Sequence, residues 1–261
     1  MYNVKIIADS ISPIGCRLTT VEATYPLIIH AEIMTHRVFS RNVASNRAIP
    51  VSKLIKSVED GPFKPSRFPK NQSGMQNSEW LEGDNHTQAE YWWLRASQEA
   101  VSCAKALQEL GVHKQITNRL LSPFLWTTAV ITSTGWNNFF KLRCHKDAQP
   151  EMRIIADMIR NAYIDSIPVE KKIGEWHLPY VVEEVNDPEL VSIGRCARVS
   201  YLKHGTDNDP IKDKELALKL IANNHLSPTE HVATPDNYAT KSGNFVGWIQ
   251  YRKSIRGEDG N

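Results

Sequence analysis

The thirteen residues from Thr35 to Arg47 (THRVFSRNVASNR) contain one histidine, three arginines, two serines and two asparagines, and no carboxylate. Side chains of these types converge on anions: a guanidinium grips phosphate through two parallel hydrogen bonds, and serine hydroxyls add short donors. The same composition also suits a polar surface loop whose arginines meet acidic partners, and the segment alone does not choose between the two.

A second polar group, Asn137, Asn138, Lys141 and Arg143 in WNNFFKLR, follows directly on the apolar run LWTTAVITST at 125–134. Polar side chains beside a buried segment need partners. Arg143 can hydrogen-bond pyrimidine carbonyls and hold negative charge developing on the ring, or it can pair with Asp147 or Glu151 at helical spacing. Arg119, in NRLLSPF, reads as a phosphate ligand or as a snorkelling surface cation. In Ser227-Pro228-Thr229-Glu230-His231 a histidine stands beside a glutamate, as proton carrier, ligand or structural ring. HExxH, Walker, GxSxG and GxGxxG patterns are absent, so a Rossmann-type dinucleotide site is unsupported, and no metal site is expected.

The elements that must position these groups follow from periodicity and turn chemistry. VKIIA at 4–8 predicts a short strand. RLTTVEATYPLIIHA at 17–31 predicts a strand broken at Pro26 and then an apolar run, with strand and helix both open for 27–34. Gly, Pro, Asn and Ser crowd residues 60–87, predicting a long functional loop. Ala89, Trp92, Trp93, Ala96, Ala100, Ala104 and Leu107 predict a helix over 88–110, stopped at Gly111. Further helices are expected over 115–121 and 148–163, and after Asp209-Pro210, where an acid can cap the first turn. Residues 125–134 read as a buried strand or a tightly packed helix, and 255–261 as a solvated tail.

Bulk composition bounds the rest. The 261 residues are 41% hydrophobic and 23% charged, with a formal charge of +2. One soluble domain spanning 1–261 is expected, with no field that recruits nucleic acid or a membrane. The N-terminus lacks a signal-peptide pattern, and no apolar run approaches the roughly 20 residues that span a bilayer. Cys16, Cys103, Cys144 and Cys196 are scattered, without a CxxC pair, so free thiols in the cytoplasm are expected.

Taken together, these segments resemble the flavin-dependent thymidylate synthases, whose signature reads RHRxxSxNExSxRY. His36, Arg37, Ser40, Asn42, Ser45 and Arg47 match it; Thr35, Val43 and Ala48 stand where the family has Arg, Glu and Tyr. Asn138 to Arg143 and Ala148-Gln149-Pro150-Glu151-Met152 resemble the family's later NFLxLR and AQxEI segments. Family segments reading ARVS and SPFEH usually precede the signature; here Ala197-Arg198-Val199-Ser200 and Ser227 to His231 follow it. The chain thus resembles a permuted relative of a kind associated with bacteriophage genomes, whose compartment would be the host cytoplasm.

The resemblance implies an α/β (α+β) fold, a mostly antiparallel sheet surrounded by helices, in a homotetramer. It implies that FAD, reduced by NADPH, helps transfer a one-carbon unit from methylenetetrahydrofolate to C5 of dUMP, giving dTMP, with no enzyme thiol as nucleophile. His36, Arg37, Ser40, Asn42, Asn138 and His231 would bind the flavin. Ser45, Arg47 and Arg119 would hold the nucleotide phosphate, Glu32 would stand where a glutamine contacts the nucleotide, and Arg143 would orient and polarise the pyrimidine. The departures at Thr35, Val43 and Ala48 leave open a methylase or hydroxymethylase acting on dCMP or dUMP. A non-catalytic nucleotide-binding protein would not need both flavin-side and ring-side groups. A nucleic-acid-binding module fits poorly with acidic stretches at 79–90 and 182–189.

Overall fold

The structure, a computed structural model, describes residues 1–73, 79–201, 209–255 and 257. Its centre is a five-stranded sheet of order β3-β4-β2-β1-β5, formed by β1 (Asn3–Ile11), β2 (Arg17–Pro26), β3 (Ser40–Val43), β4 (Trp126–Ser133) and β5 (Val169–Glu170). Every neighbouring pair is antiparallel except β1 and β5, as the resemblance implied.

The two faces of this sheet differ because alternate residues point opposite ways. Val21, Ala23 and Tyr25 of β2 and Ala129 and Ile131 of β4 form one face, packed on α5 (Asn137–Arg143) and α6 (Pro150–Asp165) through Phe139, Met152, Ile155, Ala156 and Ile159. Each large aliphatic side chain buried there contributes about 1.5–3 kcal/mol. The other face carries Thr20 opposite Thr132, Glu22 opposite Val130 and Thr24 opposite Thr128, with Ser40 and Asn42 of β3 alongside Thr132 and Val130. Threonine suits both demands, since its branched Cβ fits the pleat and its hydroxyl supplies a polar partner.

That polar face is closed by the last third of the chain. Tyr180 Oη donates to Glu22 at 2.6 Å, Asn42 Nδ2 to the Cys196 carbonyl at 3.5 Å, and Gln250 Nε2 to Ser40 Oγ at 3.1 Å. The segment comprises α7 (Pro188–Arg198), α8 (Pro210–Ala222) and four short strands, β6 (Ala233–Pro235), β7 (Lys241–Ser242), β8 (Phe245–Val246) and β9 (Trp248–Gln250). Gly194 lets α7 approach α8 closely, for a Cβ there would lie 2.1 Å from the Asp213 carbonyl oxygen. At the start of α8, Asp209 caps the helix as expected, accepting from the Ile211 and Lys212 amides.

Several expectations change. Residues 27–34 are helical, a 3-10 turn at Leu27–Ile29 followed by α1 (His30–Met34), because the chain must turn out of β2 after Pro26. Residues 126–133 are strand. The loop predicted over 60–87 is shorter: α2 (Val51–Asp60), which was not predicted, precedes it, and α3 (Gly83–Glu109) begins five residues earlier than expected. Its residues 74–78 lie outside the described residues, as does most of the tail at 255–261. On α3 the inner stripe includes Ser97, Val101 and Ala104, while Trp92 is exposed. Ser97 tolerates burial because its hydroxyl donates to the Leu94 carbonyl. α4 (Lys114–Leu120) is a short helix where one was predicted.

Candidate active site

Arg143 ends α5 and reaches back to the signature segment through all three guanidinium nitrogens. Nε donates to His36 Nε2 at 2.9 Å, Nη1 to Glu32 Oε2 at 3.2 Å and Nη2 to Thr35 Oγ1 at 3.2 Å. The pairings with Asp147 or Glu151 that helical spacing allowed are therefore replaced by a long-range one. Thr35, a departure from the signature, now has a reason: its hydroxyl donates to the Glu32 carbonyl at 2.6 Å and accepts from Arg143. Beneath, the His36 ring stands edge-on to Phe139, with centroids 5.0 Å apart, and tilts over Phe39. Arg41 closes the helix end, donating to the Met34 carbonyl at 2.8 Å.

Burial, then Arg143, then Arg41, lower the His36 pKa to about 4. His36 is thus neutral at pH 7; its Nε2 accepts from Arg143, so Nδ1 carries the proton. Between the ordinary 6.5 and 4 the folded chain binds fewer protons than the unfolded one. Stability contributed by neutral His36 is present above about pH 6.5 and is lost as pH falls through that window, by at most about 1.4 kcal/mol per pH unit. Denaturant midpoints measured from pH 7.5 to 4.5 are expected to fall less steeply for His36→Gln than for the parent; parallel slopes would refute this.

Arg37 and Asn138 are exposed at this cluster's edge. A second group surrounds the signature's end. Asn118, buried on α4, donates to the carbonyls of Asn46 at 2.6 Å and Ile49 at 3.0 Å. It fastens α4 to the segment carrying Ser45 and Arg47. Arg47 and Arg119 are exposed, and Arg119 Nε donates to the Gln115 carbonyl of its own helix. Sequence reasoning passed over Asn118, although an amide inside a helix beside the Arg119 position was a signal. A third group, Ser40, Asn42 and His231, is buried on the sheet's polar face. Ser40 and Asn42 are bonded there to the chain's last third, and His231 Nδ1 meets Thr132 Oγ1 at 2.7 Å while its Nε2 has no partner among the described residues. The expected site residues therefore occupy three places in one chain: the Arg143 hub with Glu32, His36, Arg37 and Asn138; the α4 edge with Ser45, Arg47 and Arg119; and the polar face.

A cleft of about 600 Å³ is lined by Ile28, Phe68, Trp80, Trp93, Gln149 and Glu151, among others. That volume suits a small organic ligand. The Cys144 thiol, next to Arg143, is pushed up to about 11 by burial and by Asp157, so it is not an activated nucleophile. No helix of the described residues is long and apolar enough to cross a membrane.

The profile of a family described as thymidylate synthase complementing protein matches residues 11–169, well over half of the chain. Among solved structures, this fold is similar to a UMP/dUMP methylase PolB from Streptomyces cacaoi bound with 5-Br UMP. That likeness has a TM-score of 0.50 and 16% identity, covering 62% of this chain and 88% of the other. The same methylase bound with 5-Br dUMP gives a TM-score of 0.48 and 15% identity, covering 62% and 90%. No curated protein matches by sequence.

Proposed function

The chain belongs to the thymidylate synthase complementing proteins, the flavin-dependent thymidylate synthases, and from that premise we propose that it methylates a pyrimidine deoxynucleotide at C5, with dUMP as substrate and dTMP as product. Methylenetetrahydrofolate donates the one-carbon unit, and NADPH is the reductant. The observation that carries this is Arg143, drawn by Glu32, Thr35 and His36 into one preorganised hub of the signature segment.

In this mechanism Arg143 donates to the pyrimidine carbonyls and stabilises negative charge as C5 becomes nucleophilic. Neutral His36 keeps the guanidinium oriented without competing for its charge. Ser45, Arg47 and Arg119 hold the phosphate, the two arginines being exposed and available. FAD fits the remaining donors: Arg37 and Asn138 are exposed beside His36, and His231 Nε2 is a buried nitrogen without a protein partner among the described residues. When bound, FAD supplies the reducing equivalents that NADPH delivers. Ser40 and Asn42 would support that site from the polar face.

The Ala197 to Ser200 and Ser227 to His231 segments support a permuted order. The Ser45 amide donates to the Ser200 carbonyl at 3.0 Å, and the 3-10 turn at Ser227–Glu230 packs on β3. Segments that precede the signature in the family thus sit against it here although they follow it. The single domain of residues 1–261 acts as a cytoplasmic homotetramer, in which neighbouring subunits bring the three groups together and exclude water. Pro65, Phe68 and Trp80 of the 60–87 segment line the 600 Å³ cleft, and in this proposal that segment would act as a lid over nucleotide or folate.

A second reading has its own observation. Glu32 places a carboxylate on Arg143 where the family has a glutamine, and a carboxylate accepts from the exocyclic amine of cytosine, which favours dCMP. Tritium release from 5-labelled dUMP and 5-labelled dCMP, each with methylenetetrahydrofolate, NADPH and FAD, tests both readings. Release from dUMP alone supports the first and from dCMP alone the second. Release from neither, with no flavin absorbance after FAD loading, refutes both.

A further inference from the structure

On the polar face of the sheet a continuous row of hydrogen bonds links two buried histidines. Ser10 Oγ lies 2.8 Å from His177 Nδ1, and His177 Nε2 lies 2.8 Å from Thr20 Oγ1. Thr20 Oγ1 is 2.7 Å from Thr132 Oγ1, which is 2.7 Å from His231 Nδ1. All five residues are buried, the two threonines and two histidines completely. Burial lowers the pKa of each imidazole to about 3, so at neutral pH each ring carries one proton on one of its two nitrogens.

We propose that this row has a single direction, set at Ser10, and that it fixes the proton of His231 on Nε2. Among the described residues the Ser10 hydroxyl meets only His177 Nδ1, so its proton is used only if Nδ1 accepts. The neutral His177 ring must then donate from Nε2 to Thr20. The Thr20 proton passes to Thr132 Oγ1, and the Thr132 proton to His231 Nδ1. The reverse direction leaves two buried groups unmatched, the Ser10 proton and the His231 Nε2 lone pair, against one in the forward direction, the His231 Nε2–H. His231 is left with an N–H at Nε2, the atom with no partner among the described residues. Ser10, His177, Thr20 and Thr132 are thus positioning residues for His231, which presents a buried donor to an acceptor atom of a bound ligand. The direction follows from the geometry; that the acceptor belongs to FAD rests on the function proposed above.

Removing the Ser10 hydroxyl has a sharp consequence. Without it, the forward and reverse directions use both threonine protons equally well and leave the same number of unmatched groups. Ser10→Ala is expected to convert His231 from one Nε2–H form to comparable populations of both tautomers, although Ser10 does not touch it. Ser10→Thr, which keeps a hydroxyl, is expected to retain the single form. Long-range proton–nitrogen spectra of the nitrogen-15-labelled full chain at neutral pH read this directly, without substrate. A parent His231 protonated on Nδ1, or a Ser10→Ala spectrum with His231 unchanged, overturns the proposal. Failure to bind flavin would sink the proposed function and leave this measurement intact.

Discussion

Arg143→Ala is expected to lower the proposed nucleotide turnover by about a hundred- to a thousand-fold, the loss typical of one preorganised donor aimed at developing charge. Flavin absorbance should survive, because Arg37, Asn138 and His231 are untouched. The guanidinium makes three contacts, to His36, Glu32 and Thr35. Arg143→Lys keeps the charge but not the fork, so it should recover only a small part of the lost rate. The measurement is tritium release under saturating nucleotide, with flavin content read on the same samples. Activity within a few-fold of the parent would remove Arg143 from the chemistry, and loss of flavin together with activity would make it a structural tie between α1 and α5.

The largest expected stability effect lies elsewhere. Asp213 is completely buried at the α7–α8 contact, where Arg195 Nε and Arg198 Nε approach its two oxygens at 3.0 and 2.5 Å. Removing one member of a buried ion pair leaves charge uncompensated and costs about 3–5 kcal/mol, on the order of 10 °C in Tm for a chain of this size. Arg195 would keep its bonds to Glu183 and the Tyr180 carbonyl, which places the expectation for Asp213→Ala at the lower end. Asp213→Asn, similar in shape, should cost less. Thermal melts of the parent and both variants, corrected for flavin content, decide it. An unchanged Tm for Asp213→Ala would mean that the α7–α8 contact is held by packing at Gly194 and not by charge.

Much of the local structure was legible in the residues. Pattern and caps place β1, β2, α3, α4, α6 and α8 within a few residues, because apolar periodicity, Pro26, Gly111 and the Asp209-Pro210 cap act within one or two turns of chain. α2 and α7 escape, and so do the two- and three-residue strands of the last third, which carry too few repeats to declare a period. The family was legible as well, from several separated motifs, and residues 11–169 match its profile. Where each expected ligand would sit was not. Ser40 and Asn42 fall on strand positions whose inward or outward sense depends on register.

The signature segment, the NNFFKLR segment and Arg143 itself are properties of the sequence alone, since residue type and spacing fix which hydrogen bonds and charges are available. Which groups meet is a tertiary outcome. The β2–β4 register joins residues more than a hundred positions apart and sets Thr20 against Thr132, and no local pattern carries that pairing. Chain closure over such a separation also gives Thr35 and Glu32 their contacts with Arg143, and makes a motif-free His177 the neighbour of Thr20. Local propensity thus determined the elements and their chemistry, while long-range packing, whose energy is gained only once distant faces meet, decided the site.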